Sequence, residues 1–113
     1  MLKQNTAMLL RPEIRSMLFY DPAATLRKVK VPVLALNGAR DLQVIARQNL
    51  AVIAAALADG NNDFAIYELP GLNHLFQKCS KCTIGEYGQL EETFSPAALE
   101  IIGDWIGHQA QRQ

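Results

Sequence analysis

The sequence predicts an α/β fold: a βαβ unit with two parallel strands, flanked by an N-terminal and a C-terminal helix. Residues 31 to 36 and 64 to 69 are short apolar runs with the composition of strands, and each is closed by a turn signal, Asn-Gly or Pro-Gly. Residues 45 to 58, between them, carry apolar side chains at helical spacing. Strand, helix and strand in this order indicate two parallel strands joined by a crossover helix.

The N-terminal helix is predicted over residues 6 to 19. Pro12 suits a first helical turn, and Asp21-Pro22 ends the segment. Its apolar residues at roughly helical spacing are Leu9, Leu10, Ile14, Met17 and Leu18. A further short turn of helix is predicted over residues 22 to 27.

The three central elements differ in the strength of their patterns. Residues 31 to 36, VPVLAL, contain no polar side chain, which favours a strand buried on both faces. The helix over 45 to 58 has apolar residues at i, i+3, i+4 and i+7, and the sequence DGNN supplies its stop. Residues 64 to 69, FAIYEL, predict a shorter and more mixed strand.

The last part of the chain predicts a loop and then a helix. Residues 71 to 94 show neither helical nor alternating periodicity, so we expect a long irregular loop, with its glutamates Glu86, Glu91 and Glu92 on a solvated face. Ser95-Pro96 predicts a helix start, with serine as the N-cap and proline in the first turn. We expect the tail, residues 109 to 113, to fray.

Composition restricts the partners. The 113 residues fit a single domain over 1 to 113, and eleven basic and eleven acidic residues cancel, which argues against nucleic acid or an anionic membrane as a partner. No apolar run approaches the roughly 20 residues that span a bilayer. Residues 1 to 10 are too polar for a secretory signal. A soluble cytoplasmic protein is expected.

The two cysteines, Cys79 and Cys82, are only three positions apart in a polar segment. So local a pair is unsuited to a disulfide framework, and we interpret both as reduced thiols. The C-x-x-C spacing also occurs in zinc sites, for which His74 and His108 are conceivable further ligands, and in dithiol redox pairs. Because it neither follows a strand nor opens a convincing helix, we expect a solvated loop with no metal and no cofactor.

One ionisable residue follows each predicted strand: Asp41 the first and His74 the second. Residues beyond the carboxyl ends of parallel strands gather at one edge of the sheet. A carboxylate there can fix the tautomer of an imidazole on the next loop and stabilise its protonated form. Taken singly, Asp41 is also typical of a turn and His74 of an ordinary loop. Together they predict a catalytic acid and base within hydrogen-bond reach.

Three motifs carry a family resemblance: PVLALNG at 32 to 38, DLQV at 41 to 44 and LPGLNHLF at 69 to 76. They resemble the last third of bacterial α/β-hydrolases, and the chain from about residue 21 to 106 is similar to esterase-like and dienelactone-hydrolase-like members. The resemblance implies a partial α/β-hydrolase fold. It also implies that Asp41 is the acid and His74 the base in the family's order of serine, acid and histidine.

The chain departs from that family in lacking a G-x-S-x-G nucleophile motif. Its serines, Ser16, Ser80 and Ser95, are interpreted as helix, loop and cap residues. One hypothesis is therefore a fragment or remnant of a carboxylesterase-like or thioesterase-like serine hydrolase, inactive alone, whose upstream part is either absent or supplied by another polypeptide. The alternative is a non-enzymatic oligomeric or interaction module. A homodimer is expected, because two strands leave an open sheet edge.

Overall fold

The computed structural model describes residues 11 to 13 and 20 to 112. Its elements, in chain order, are helix α1 (Pro22–Leu26), strand β1 (Val33–Gly38), helix α2 (Ala46–Ala58), strand β2 (Phe64–Leu69), a 3-10 helix (Ile84–Gln89) and helix α3 (Pro96–Gln111). The predicted short helix, the βαβ unit and the last helix are confirmed. The N-terminal helix predicted over residues 6 to 19 lies outside the described residues except for 11 to 13.

The sheet consists of β1 and β2, which run parallel with a register from Val33↔Phe64 to Gly38↔Leu69. Helix α2 contacts both strands and buries one apolar stripe that includes Leu50 and Leu57. An α/β fold with two parallel strands is thus what the described residues form. The arrangement brings the loops after β1 and β2 to the same edge of the sheet.

Strand β1 is less buried than its sequence predicts. Its four apolar residues, 33 to 36, are all half-buried, and only Asn37 and Gly38 at its carboxyl end are buried. The prediction of a strand buried on both faces is therefore wrong for this structure. The physical reason is that, in the described part of the chain, β1 has a single neighbouring strand.

A small core joins α3 to the end of β2. Ala98 of α3 is fully buried against Leu69 and Leu72. Four partly buried apolar residues surround this group: Leu36, Phe76, Phe94 and Ile101. The rings of Phe76 and Phe94 stack with centroids 5.5 Å apart. The last helix therefore packs directly on the loop that follows β2.

Helix α3 continues to Gln111, although the sequence predicts fraying from residue 109. Asp63, just before β2, accounts for the difference: Gln109 donates to its Oδ1 at 3.3 Å and Arg112 forms an ion pair with its Oδ2 at 2.7 Å. With 16 residues, α3 is the longest described helix, and neither it nor another described helix combines the length and apolarity needed to cross a membrane.

Candidate active site

The side chains of Asp41 and His74 meet at the carboxyl edge of the sheet. Nδ1 of His74 lies 2.8 Å from Oδ2 of Asp41. One residue follows β1 and the other follows β2, so their contact results from the parallel pairing of the two strands. The predicted hydrogen-bond reach between the two residues is confirmed.

Asp41 is held at both carboxylate oxygens. The residue is 7% exposed, and its Oδ1 accepts the backbone N–H groups of Gln43 at 2.8 Å and Val44 at 2.9 Å. Burial acts to raise the pKa of Asp41, but the hydrogen bonds from Val44, His74 and Gln43, with the charge of His74, together lower it below its ordinary value. Asp41 is thus at once a turn-forming residue and the partner of His74.

The protonation of the pair follows from this geometry. An ionised carboxylate can only accept hydrogen bonds, so Nδ1 of His74 must carry the hydrogen that it shares with Asp41. Nε2 is then the nitrogen left to exchange a proton with a reacting group. The His74 side chain is 37% exposed, so solvent or a second molecule reaches part of the ring. This is the arrangement of a base oriented by a buried acid.

The loop that carries Asp41 is fixed by two asparagines that the sequence analysis did not single out. Asn37, buried at the end of β1, donates from Nδ2 to the carbonyl oxygens of Gly38 at 3.2 Å and Val44 at 3.1 Å. Its Oδ1 accepts from Nδ2 of Asn49 in α2 at 2.8 Å. The sequence signal that could have identified Asn37 is its position as a polar residue at the end of an apolar strand.

Gly38 allows the two loops to approach. A Cβ atom at this position would lie 2.4 Å from the carbonyl oxygen of Leu72 and 2.5 Å from that of Asn73. The backbone N–H of Arg40 also donates to the Leu72 oxygen at 2.9 Å. Any larger residue at position 38 would push away the backbone next to His74, so this glycine does more than end a strand.

The cysteines form a disulfide, so the interpretation as reduced thiols is wrong for this structure. Cys79 and Cys82 are bonded, with their Cα atoms 5.0 Å apart, and Cys82 is buried. The close approach is local, because the two cysteines are only three positions apart in the chain, and Cys82 adopts a left-handed backbone conformation with φ of 63°. Two cysteines so close in sequence cannot cross-link distant parts of a domain, but they can still form a disulfide within one turn.

Glu86 organises the disulfide turn and is not only part of a solvated face. Its carboxylate accepts the backbone N–H groups of Ser80, Lys81 and Cys82 at 2.8 to 3.2 Å. These hydrogen bonds, first among them the one from Lys81, lower the pKa of Glu86. The 3-10 helix that contains Glu86 is thereby tied to the loop that contains His74.

Among the described residues, no serine hydroxyl forms a hydrogen bond with the imidazole of His74. Ser80 is exposed in the disulfide turn. Ser95 is buried at the predicted N-cap position of α3, although its side chain makes no capping hydrogen bond. Ser16 lies outside the described residues. Across residues 11 to 13 and 20 to 112, no group of three or more His, Cys, Asp or Glu side chains is arranged to hold a metal ion.

The pH dependence of stability tests the ionised state of Asp41. Because its folded pKa is lowered below the ordinary value of 3.8, its carboxylate stabilises the fold fully above about pH 4 and loses that contribution as the pH falls through the folded pKa. We expect Asp41→Asn to lower the free energy of unfolding near pH 6 by about 2 kcal/mol, as for hydrogen bonds to a buried charge. Urea unfolding of both proteins should show this difference shrink below pH 4. A difference that grows toward low pH would contradict it.

Comparisons of the chain with protein-family models, curated proteins and solved structures find no match. The resemblance to α/β-hydrolases accordingly stays a prediction from the three motifs.

Proposed function

We propose that this chain provides the acid and the base of a serine-hydrolase site for carboxylic esters or thioesters, as the C-terminal third of an α/β-hydrolase. The observation that carries the proposal is the 2.8 Å contact between Nδ1 of His74 and the buried carboxylate of Asp41. A half-exposed imidazole with a single buried acid behind it is typical of a general base.

The order of the residues along the chain supports the same proposal. Asp41 follows one strand and His74 follows the next strand of a parallel pair, as the acid and histidine do in the order of that family. In the proposed reaction Asp41 holds the tautomer of His74. Nε2 takes the proton of a serine hydroxyl during attack on the ester carbonyl, and then gives it to the leaving group.

The nucleophile is assigned to another polypeptide segment, since the sequence contains no G-x-S-x-G motif. A base without a nucleophile and without donors for the oxyanion has little means to accelerate acyl transfer. The chain by itself then contains only the acid and the base of the proposed catalytic site.

The purified chain tests this assignment. With p-nitrophenyl acetate or butyrate we expect a rate that rises linearly with ester concentration, without saturation, as for an exposed imidazole. His74→Ala should remove part of that slow rate, and His108→Ala serves as the matched control for the other histidine. Saturable turnover that His74→Ala abolishes, with no partner chain present, would contradict the assignment of the nucleophile to another segment.

A non-enzymatic oligomeric module is the second candidate, and the surface favours it. Many large apolar side chains are exposed for so small a chain. They are Tyr20, Val31, Leu42, Val44, Ile45, Val52, Tyr67, Leu75, Ile84, Leu99 and Ile106. In the part of the chain that the structure describes, β1 also pairs on one edge alone. Such surfaces and edges are typical of proteins that pair with another chain.

A further inference from the structure

We propose that Asn73 and Gln77 are positioning residues for His74, because their paired side-chain amides set the backbone that aims the imidazole at Asp41. That this matters for catalysis rests on the proposed function, whereas the effect on the imidazole does not. Asn73 and Gln77 flank the short turn that contains His74, and nothing in the sequence pattern distinguished them.

The buried side chain of Asn73 makes hydrogen bonds that close the turn around His74. The residue is 0% exposed, and its Oδ1 accepts the backbone N–H groups of Leu75 and Gln77, each at 3.0 Å. Its own backbone N–H donates to the carbonyl oxygen of Gln77 at 3.0 Å. The backbone is therefore fixed on both sides of His74.

Gln77 connects this turn to the segments that follow. It is 6% exposed, and its Oε1 accepts from Nδ2 of Asn73 at 2.9 Å. Its Nε2 donates to the carbonyl oxygens of Tyr87 and Glu92, both at 3.2 Å. One side chain thus joins the His74 turn to the 3-10 helix and to the irregular segment before α3.

The turn needs such support because part of it is strained. Phe76 has a φ of 60°, in the left-handed region that costs a residue with a side chain about 1 kcal/mol. The backbone N–H of Phe76 donates to the carbonyl oxygen of Asn73 at 3.1 Å. The carbonyl oxygen of Phe76 accepts from the backbone N–H of Ser95 at 2.7 Å. These bonds hold a conformation that the chain would not prefer locally.

The position of the imidazole depends on the backbone that carries it. His74 is 37% exposed on its side chain, and its one side-chain hydrogen bond in the described structure goes to Asp41. Because no second side-chain hydrogen bond holds the ring in the described structure, the ring moves with its Cα atom. A shift of that atom by about 1 Å would separate Nδ1 from Oδ2 and remove the orientation that a base needs.

Nitrogen-15 NMR of histidine-labelled protein tests the proposal without any nucleophile. The variants are Gln77→Met, Asn73→Ala and Gln77→Glu. Gln77→Glu keeps the shape and the oxygen that accepts from Asn73 but removes both donors to Tyr87 and Glu92. We expect each variant to lose the downfield Nδ1 proton of His74 and to show a several-fold fall in the ratio of the Nδ1–H to the Nε2–H tautomer.

Asn61→Ala is the matched control. Asn61 is also a buried asparagine, and it donates to the carbonyl oxygens of Val29 and Val31 at the opposite end of the strands. It should lower the melting temperature but leave the His74 tautomer unchanged. A folded Gln77 or Asn73 variant with the wild-type tautomer would overturn the proposal. So would failure of all three variants to fold while Asn61→Ala folds, since the pair would then be a stability element.

Different results would contradict the positioning role of Asn73 and Gln77 and the proposed acid-base pair. Loss of the Nδ1 signal in the variants supports the positioning role even where no esterase activity is found. A wild-type His74 that already lacks the Nδ1–H tautomer would contradict the acid-base pair itself.

Discussion

In a purified complex of this chain with the proposed nucleophile-bearing polypeptide, His74→Ala is expected to lower kcat/KM for p-nitrophenyl butyrate on the order of 10⁶-fold. The serine then has no base to accept its proton, and the leaving group has no acid. The partner is sought as a G-x-S-x-G segment in the neighbouring upstream reading frame, co-expressed with this chain.

Asp41→Asn should cause a smaller but still large loss in the same complex. An amide at this position favours the wrong tautomer of His74, an effect worth roughly 10⁴-fold in triad enzymes. Asp63→Asn is the control, because Asp63 is an aspartate paired with Arg112 before β2, outside the candidate site. Equal activity of the Asp41 and Asp63 variants would contradict the role of Asp41, and equal activity of His74→Ala and wild type would contradict that of His74.

The second large effect concerns assembly. Light scattering behind a sizing column should give the wild-type chain twice the mass of one copy, since a two-stranded sheet is marginal alone. A two-fold axis would cover the same apolar surface on both copies. A monodisperse monomer at micromolar concentration would contradict the dimer.

Substitutions in β1 test whether the dimer forms through the strand edge. Val33 donates its N–H to Asp63 on the β2 side, so the N–H of Leu34 points to the other edge of the strand. Leu34→Pro removes a donor from that open edge without removing a bond to β2, and Leu34→Lys adds a charge there. Both should give monomers. Ala35→Pro, which removes a donor on the β2 side, should unfold the chain instead, and a stable Leu34→Pro dimer would rule out pairing through the edge.

The βαβ unit and the last helix were predictable because they depend on local pattern, whereas the 3-10 helix (Ile84–Gln89) lies within the segment predicted as an irregular loop. The apolar periodicity of α2 and the turn signals after each strand are readable from neighbouring residues, and the bounds of β2 and α2 agree closely with the prediction. Asp41 and His74 were predictable for a related reason. Parallel pairing determines which loops share an edge, so two strand ends identify the site.

The remaining features depend on contacts between distant residues. The ordered end of α3 follows from Asp63, which lies 46 and 49 positions from Gln109 and Arg112. The support of His74 by Gln77 requires carbonyl groups 10 and 15 positions away, and no residue type reports such a backbone contact. The partial exposure of β1 depends on how many strands lie beside it, and the apolar sequence of β1 does not contain that information.

The most direct measurement is the nitrogen-15 spectrum of His74 in the wild-type chain near neutral pH, assigned with His74→Ala. The proposed acid-base pair predicts an imidazole whose Nδ1 carries the hydrogen, with a downfield Nδ1 proton that disappears in Asp41→Asn. A His74 ring in the Nε2–H tautomer, unaffected by Asp41→Asn, would contradict it.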